Sequence, residues 1–268
     1  MPNHFEAVGF AVRDDAQLAD VAVRAAEEGA SVLTRAGEYR RWAPGGGAEL
    51  WVQLDGNHIV GLTPHFAGDT SLRAGIVGRV AHPEDTALEG ALHAWANPPQ
   101  VGPADTGDYP FIVAVPDFRA LDRLRFPSVA RVQVAAFAHE LRVYPSGEAY
   151  LDAQPSGIRF AEESFIPLGM FTDDENAVPE PVAVLSGRVL AAGRRTNPAG
   201  GDFWWMHVRT LGGEMDVVAE PALVDAEPVA GGVVSGTFYL SGRVSVDVPA
   251  RGRTWPGRIP ERHPRPVR

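Results

Sequence analysis

The chain has 268 residues, 45% of them hydrophobic and 22% charged, which is long enough for two domains that each bury a core. It contains no cysteine, and all 24 basic residues are arginine, which excludes disulfides, thiolate nucleophiles, Cys-based zinc sites, Schiff-base lysines and a P-loop lysine. The net charge of −10 opposes non-specific binding to nucleic acid. No apolar run could cross a bilayer and the first residues show no secretion signal, so we expect a cytoplasmic protein without membrane contact.

The first part of the chain predicts one helix among short strands. The helix is expected to begin at Asp14 or Asp15, to carry one apolar stripe and to stop at Gly29. The turns PGGG and Asp55-Gly56 separate the later strands. The predicted strands are residues 7–12, 38–43, 48–54 and 59–66. The order of elements is therefore βαβββ.

A second copy of this order is indicated from about residue 74. The segment VGRVAHPEDTALEGALHAW repeats the pattern of VGFAVRDDAQLADVAVRAA and predicts a second helix with the stripe Leu88, Leu92 and Trp95. Later, RVYPSGEAYL matches RWAPGGGAEL in its Arg, its Pro, one Gly and its final Leu. We therefore expect a duplicated βαβββ domain over residues 1–171.

Acidic residues and prolines interrupt the apolar pattern at 172–181, TDDENAVPEP, and predict a domain boundary there. A run of strands punctuated by glycine then predicts an all-β domain at 182–248. The last residues, 249–268, carry six arginines and five prolines, which is typical of an extended basic tail. The expected fold class is α+β, with tandem βαβββ modules followed by a small all-β barrel.

Residues 4–165 resemble the vicinal-oxygen-chelate superfamily of glyoxalases and bleomycin-resistance proteins, through HFEAVGFAVRDD and APGGGAELW in the first copy. The resemblance implies paired modules that curl around a cleft, with metal ligands on the first and late strands of each module. Glu49 falls on a late-strand ligand position. The other three positions hold Ala7, Ile76 or Gly78, and Tyr150. Because a catalytic divalent metal usually needs three protein donors, we expect no metal, no cofactor and no catalytic residue.

Glu49, Trp51 and Gln53 alternate with apolar residues along one predicted strand, so they share one face of it. On a cleft wall, an acid, an indole and an amide make a ligand pocket, whereas facing solvent they are ordinary strand residues. We predict a non-catalytic protein that binds a small ligand or a protein partner. The predicted ligand-binding residues are Glu49, Trp51, Gln53 and Tyr150. A metal-dependent enzyme, similar to glyoxalases or dioxygenases, is the first alternative.

The C-terminal strands, with FWWMHVRT, EMDVVA and GGVVSGTFYLSGRV, resemble an oligonucleotide/oligosaccharide-binding (OB) barrel, in which glycines mark sharp bends. They are also similar to the ends of other bacterial proteins, which implies no function. The OB resemblance implies a second alternative, in which tryptophan stacks on single-stranded nucleic acid and arginine contacts phosphate. The residues for it are Arg194, Arg195, Trp204 and Trp205. Nearby acids and the acidic body oppose it, and packing of one Trp on the N-terminal domain is the simpler interpretation.

Overall fold

The computed structural model describes residues 3–155, 157, 159–170 and 178–245. In this part the protein is mainly β, with two sheets and two α-helices, an arrangement that fits either the predicted α+β class or a mainly-β class. Most of the predicted boundary, 172–177, and the whole basic tail, 249–268, lie outside the described residues. No helix among the described residues is long and apolar enough to cross a membrane.

The predicted first helix is present as α1, Asp15–Glu28. The side chain of Asp14 caps it by accepting a hydrogen bond of 2.8 Å from the Gln17 N–H. At the other end the Gly29 N–H donates to the Ala25 carbonyl and the chain turns into a strand. Local capping signals therefore placed this helix correctly.

Four antiparallel strands follow α1 and form the first sheet in simple order. They are β1 (Ala30–Leu33), β2 (Glu38–Gly45), β3 (Ala48–Asp55) and β4 (His58–Phe66). The last three were predicted. The strand predicted at 7–12 is wrong, because Glu6–Val8 forms a 3-10 turn that ends where Gly9 adopts a left-handed φ of 76°.

The second sheet contains the other nine strands. They are β5 (Leu72–Val80), β6 (Ala91–Ala96), β7 (Pro110–Ala114), β8 (Ser128–Tyr144), β9 (Ser164–Pro167), β10 (Val182–Thr196), β11 (Asp202–Thr210), β12 (Gly213–Ala219) and β13 (Val233–Ser245). The short helix α2, Gly147–Asp152, follows β8. Single 3-10 turns at Phe118–Leu121, Leu168–Met170 and Pro221–Leu223 lie in the connections.

The pairings of this sheet close into two rings that share β8 and β13. Ring one runs β5, β6, β7, β13, β8 and returns to β5; ring two runs β10, β11, β12, β8, β13 and returns to β10. In each ring the first three strands form an antiparallel meander, β5–β6–β7 in ring one and β10–β11–β12 in ring two. A 3-10 turn then leads into a long strand, which is β8 after the first meander and β13 after the second. Each ring is closed by the long strand of the other half of the chain. In ring one β13 lies parallel to β7, and in ring two β8 lies parallel to β12.

The two rings also share a local irregularity. The first strand of ring one shifts register between Ile76 and Gly78, beside His93 on the next strand. The first strand of ring two shifts between Val189 and Ala191, beside His207. The structural repeat thus relates residues 72–144 to 182–245.

This repeat corrects the duplication expected over residues 1–171. The helix predicted from Leu88, Leu92 and Trp95 is instead strand β6, in which Leu92, Ala94 and Ala96 are buried alternately. The spacing of four and three residues between Leu88, Leu92 and Trp95 is typical of a helix. From Leu92 to Ala96, however, every second residue is buried, which is the pattern of a strand. Residues 72–144 therefore do not form a second βαβββ unit.

The two predicted domains also share one sheet, because β8 pairs with β13 from Tyr144–Val233 to Arg131–Ser245. The main core fills the rings. A second core lies between α1, the first sheet and ring two, where Phe137, Phe203 and Val218 contribute side chains. The described residues on either side of 172–181 are thus built around common strands rather than around separate cores.

Candidate functional site

The structure places three of the four predicted pocket residues together, inside the protein. Glu49, Trp51 and Gln53 lie on one face of β3 and are each 1% exposed. The fourth, Tyr150, lies on α2, where it is buried against the ring of Tyr144. The predicted cleft wall is therefore an internal layer between the first sheet and ring one, and these four side chains do not line an open pocket.

Glu49 has internal partners for its carboxylate. Arg41 donates from Nε at 2.9 Å and also from Nη2, and the Trp51 indole N–H donates to the second oxygen at 2.9 Å. Burial alone would raise the pKa of Glu49, but the hydrogen bond and charge of Arg41, with the hydrogen bond from Trp51, outweigh burial, so the pKa is lowered. Glu49 is an ionised carboxylate held by the protein itself.

Gln53 supports a neighbouring loop. Its Oε1 accepts a hydrogen bond of 2.7 Å from the Thr86 hydroxyl, and its Nε2 donates to the Thr63 hydroxyl at 3.3 Å. Thr86 belongs to the loop between β5 and β6, and Thr63 lies on the wall of a cleft beside that loop. Gln53 therefore supports the wall of this cleft from inside the protein and does not line the cleft itself.

Behind Glu49 lies a buried histidine that is also fully bonded. His65 Nδ1 is 2.9 Å from the Ser241 hydroxyl, and its Nε2 is 3.0 Å from Oε1 of Gln133. Burial lowers the pKa of His65 to about 4, so the ring is neutral near pH 7. Since His65 and Ser241 are each 0% exposed, this Ser–His pair joins strands and is closed to a substrate.

The tryptophans of the nucleic-acid alternative are both covered. Trp204 is 8% exposed, with the Arg194 guanidinium 5.2 Å from its ring centroid. Trp205 is half-buried, lies under Arg195 at 4.2 Å and donates its indole N–H to Asp216. Stacking a base on either ring would require displacement of an arginine that already makes a cation–π contact. This alternative stays a prediction.

The metal-enzyme alternative has no ligand set in the part of the chain that the structure describes, where no group of three or more His, Asp or Glu is arranged to hold an ion. Glu49 is the single predicted ligand. Its two oxygens accept from Arg41 and Trp51.

An open cleft of about 550 Å³ does exist, at the meeting point of ring one and the β5–β6 loop. We call it the acidic cleft. Its polar lining comes from residues far apart in the chain, namely Thr63, His82, Asp85, Glu89, His139, Glu180 and Tyr239. Its apolar lining is Ala91, Ala114, Val115, Pro181 and Val182, with Gly90 beside them.

The three carboxylates of the acidic cleft form no ion pair within the part of the chain that the structure describes. Asp85 accepts a hydrogen bond of 2.6 Å from the His82 backbone N–H, and Glu89 accepts one of 2.8 Å from Thr86 N–H. Neither these two nor Glu180 forms an ion pair with another described residue. The backbone bonds orient Asp85 and Glu89, and no arginine among the described residues pairs with them.

A tyrosine and a pair of histidines border these acids. Burial, together with the charges of Glu89 and Asp85, raises the pKa of Tyr239, so its hydroxyl stays protonated. His139 Nε2 lies 2.7 Å from His4 Nε2, and the two rings stack 5.0 Å apart. Burial first, and then the neighbouring His139, lowers the pKa of His4 to about 4; burial also lowers the pKa of His139. Near pH 7 this pair is neutral and does not offset the acids.

Comparison of the chain with protein-family models, with curated proteins and with solved structures found no match. The function is therefore inferred from the residues that line the acidic cleft. Sequence reasoning missed the acidic cleft because its walls come from six separate segments. The one available signal was the acidic segment HPEDTALEG, which was interpreted as the start of a helix.

Proposed function

We propose that the protein binds a small organic cation, an amine with an apolar portion, in the acidic cleft, and that it does so without chemical conversion. The observation that carries this proposal is a set of three carboxylates, Asp85, Glu89 and Glu180, that have no ion-pair partner among the described residues and surround an apolar floor. A cation with an apolar group satisfies both features at once. A purely inorganic cation would leave the apolar floor unused.

The location of these carboxylates strengthens their attraction for a cation. A unit charge about 4 Å from a carboxylate gains about 4 kcal/mol at the effective dielectric of a protein surface and only about 1 kcal/mol in bulk water. Asp85 and Glu89 are both half-buried, and an apolar wall keeps bulk water from one side of the cleft. The ring of Tyr239 adds a face on which an ammonium group can pack.

Binding without chemistry agrees with the state of the neighbouring groups. His139 Nε2 is engaged by His4, and the Tyr239 hydroxyl is held protonated, so the cleft presents no phenolate near neutral pH. The acids serve as anionic acceptors. This proposal keeps the predicted ligand-binding role of the protein and moves it from Glu49, Trp51, Gln53 and Tyr150 to the acidic cleft.

Two resemblances to known folds remain as proposals. We propose that ring two is an OB-like barrel, which its meander and its closure by a parallel strand support; the closing strand comes from residues 128–144 instead of the C-terminal part. The vicinal-oxygen-chelate resemblance is kept for residues 4–66 alone, where α1 followed by an antiparallel sheet supports it and the missing first strand weakens it. A cytoplasmic location is also kept as a proposal, supported by the absence of cysteine.

The test is titration calorimetry with matched ligands. We expect phenethylamine to bind and 2-phenylethanol, which has the same ring without the charge, to bind at least about tenfold more weakly. Glu89→Gln keeps an acceptor for Thr86 N–H but removes the charge, and it should weaken amine binding about tenfold. Glu84→Gln is the matched control, since Glu84 is exposed and lies outside the cleft lining.

Equal affinity for the amine and the alcohol would contradict the charge argument. Equal loss in Glu89→Gln and Glu84→Gln would place the binding elsewhere on the acidic surface.

A further inference from the structure

A second cleft, of about 670 Å³, has the opposite charge. It lies where the β1–β2 turn meets ring one and the 3-10 turn at Phe118–Leu121. Its charged lining is Arg35, Arg79, Arg119, Arg123 and Asp122, with Leu33 at the rim. We call it the arginine cleft. Four guanidinium groups around one carboxylate give a local excess of positive charge in a protein whose net charge is −10.

The single acid cannot neutralise this set. Asp122 is shared between Arg79 and Arg119, with a nitrogen–oxygen distance of 3.7 Å to each. Arg35 and Arg123 are exposed and form no ion pair or hydrogen bond with another described residue.

Two of the guanidinium groups are fixed in place. Arg79 donates from Nη2 to the Leu121 carbonyl at 2.7 Å and lies over the rings of Phe118 and Phe126, at 5.6 and 5.1 Å. Arg119 donates from Nε to the Ala87 carbonyl at 2.5 Å and lies over the ring of Phe118 at 5.4 Å. Each keeps further N–H donors that these bonds do not use, because a guanidinium carries five.

Fixed guanidinium forks match the geometry of phosphate oxygens and can donate to them in pairs. Because stacking and carbonyl bonds already order Arg79 and Arg119, a ligand loses less affinity to side-chain ordering than it would on four mobile arginines. The exposed Arg35 and Arg123 can then close on the ligand from two sides. Leu33, 78% exposed, offers apolar contact at the rim.

We propose that the arginine cleft is a binding site for a small phosphorylated ligand, a phosphate ester or diphosphate. This inference is independent of the amine proposed for the acidic cleft, since the two clefts have no lining residue in common.

The experiment is calorimetry on the full chain with inorganic pyrophosphate, at about 50 mM salt so that screening is modest. We expect binding that weakens as salt rises and that is at least about tenfold tighter than sulfate binding. The double variant Arg35→Gln with Arg123→Gln should reduce affinity by about tenfold or more, because it removes two charged donors. Since neither residue has a partner among the described residues, the fold should be retained, and a thermal unfolding curve checks this.

Arg142→Gln is the matched control, because Arg142 is exposed on β8 and lies outside the cleft lining. Absence of pyrophosphate binding, affinity equal to that for sulfate, or equal loss in the control and the double variant would each overturn the proposal. A short single-stranded oligonucleotide is the third ligand. If it binds through Arg35 and Arg123 while pyrophosphate does not, the site is one for a macromolecule, and the small-ligand proposal is wrong.

Discussion

His65 gives the sharpest test of how the interior is arranged. The substitution His65→Gln replaces a fully buried imidazole, bonded to Ser241 and Gln133, with a side chain that does not titrate. At neutral pH the variant loses part of the packing and of the two bonds, so we expect it to be less stable than the natural protein. The informative quantity is the change of stability with pH.

The sign follows from the pKa in the two states. The unfolded chain takes up a proton on this histidine near its ordinary pKa of 6.5, whereas burial lowers the pKa in the folded protein to about 4. Between these values the unfolded state binds more protons, so stability falls as pH decreases from 6.5 to 4 and this contribution then stops changing. At about 1.4 kcal/mol for each pH unit, His65 alone removes about 3 kcal/mol over that window.

The assay is urea unfolding, followed by tryptophan fluorescence, at several pH values from about 7 to about 4. The natural protein should lose about 3 kcal/mol more over this range than His65→Gln does. His58→Gln, at an exposed position, is the control and should follow the natural profile. If the natural protein and His65→Gln lose the same free energy, His65 is either protonated in the fold or reached by solvent, and the reasoning fails.

Three other outcomes are expected. Asp216→Ala should cost about 3 kcal/mol or more of unfolding free energy, because three side-chain donors lose a buried acceptor; a cost under about 1 kcal/mol would contradict this. Gly75→Ala should cost about 2 kcal/mol or more, since its Cβ would lie 1.7 Å from the Ala104 carbonyl oxygen, whereas Gly78→Ala has open space and is the control. Cleavage within 171–177 should leave the two pieces associated in gel filtration, because β8 and β13 pair along their length; separation would contradict the shared rings.

Local signals in the sequence were enough for the first helix and for most of the first sheet. Asp14 and Gly29 mark the ends of α1 through hydrogen bonds to nearby residues, so a short window contains the information. Alternation along β3 correctly placed Glu49, Trp51 and Gln53 on one face. What covers that face comes from distant segments: Thr86 and Leu88 of the β5–β6 loop lie against Gln53 and Trp51, and Arg243 of β13 lies over the Trp51 ring.

The two rings and the two clefts could not be predicted from short windows of the sequence. β8 was assigned to one predicted domain, yet its partners include β12 and β13, about eighty residues or more further along the chain. The arginines of the arginine cleft are likewise scattered over three segments and look like ordinary surface charges in the sequence. Only the pairing of distant strands turns them into one surface, and pairings of that range depend on the whole chain rather than on a motif.

The β5–β6 loop separates the two clefts and explains why both keep their charge. On one side Asp85 and Glu89 are held by the backbone N–H groups of His82 and Thr86. On the other side the Ala87 carbonyl of the same loop accepts from Arg119. Opposite charges so close in the chain would pair if their side chains were free to move, since an exposed ion pair needs little more than proximity. Asp85 and Glu89 on one side, and Arg79 and Arg119 on the other, are bonded to backbone groups, so these four charges do not pair across the loop.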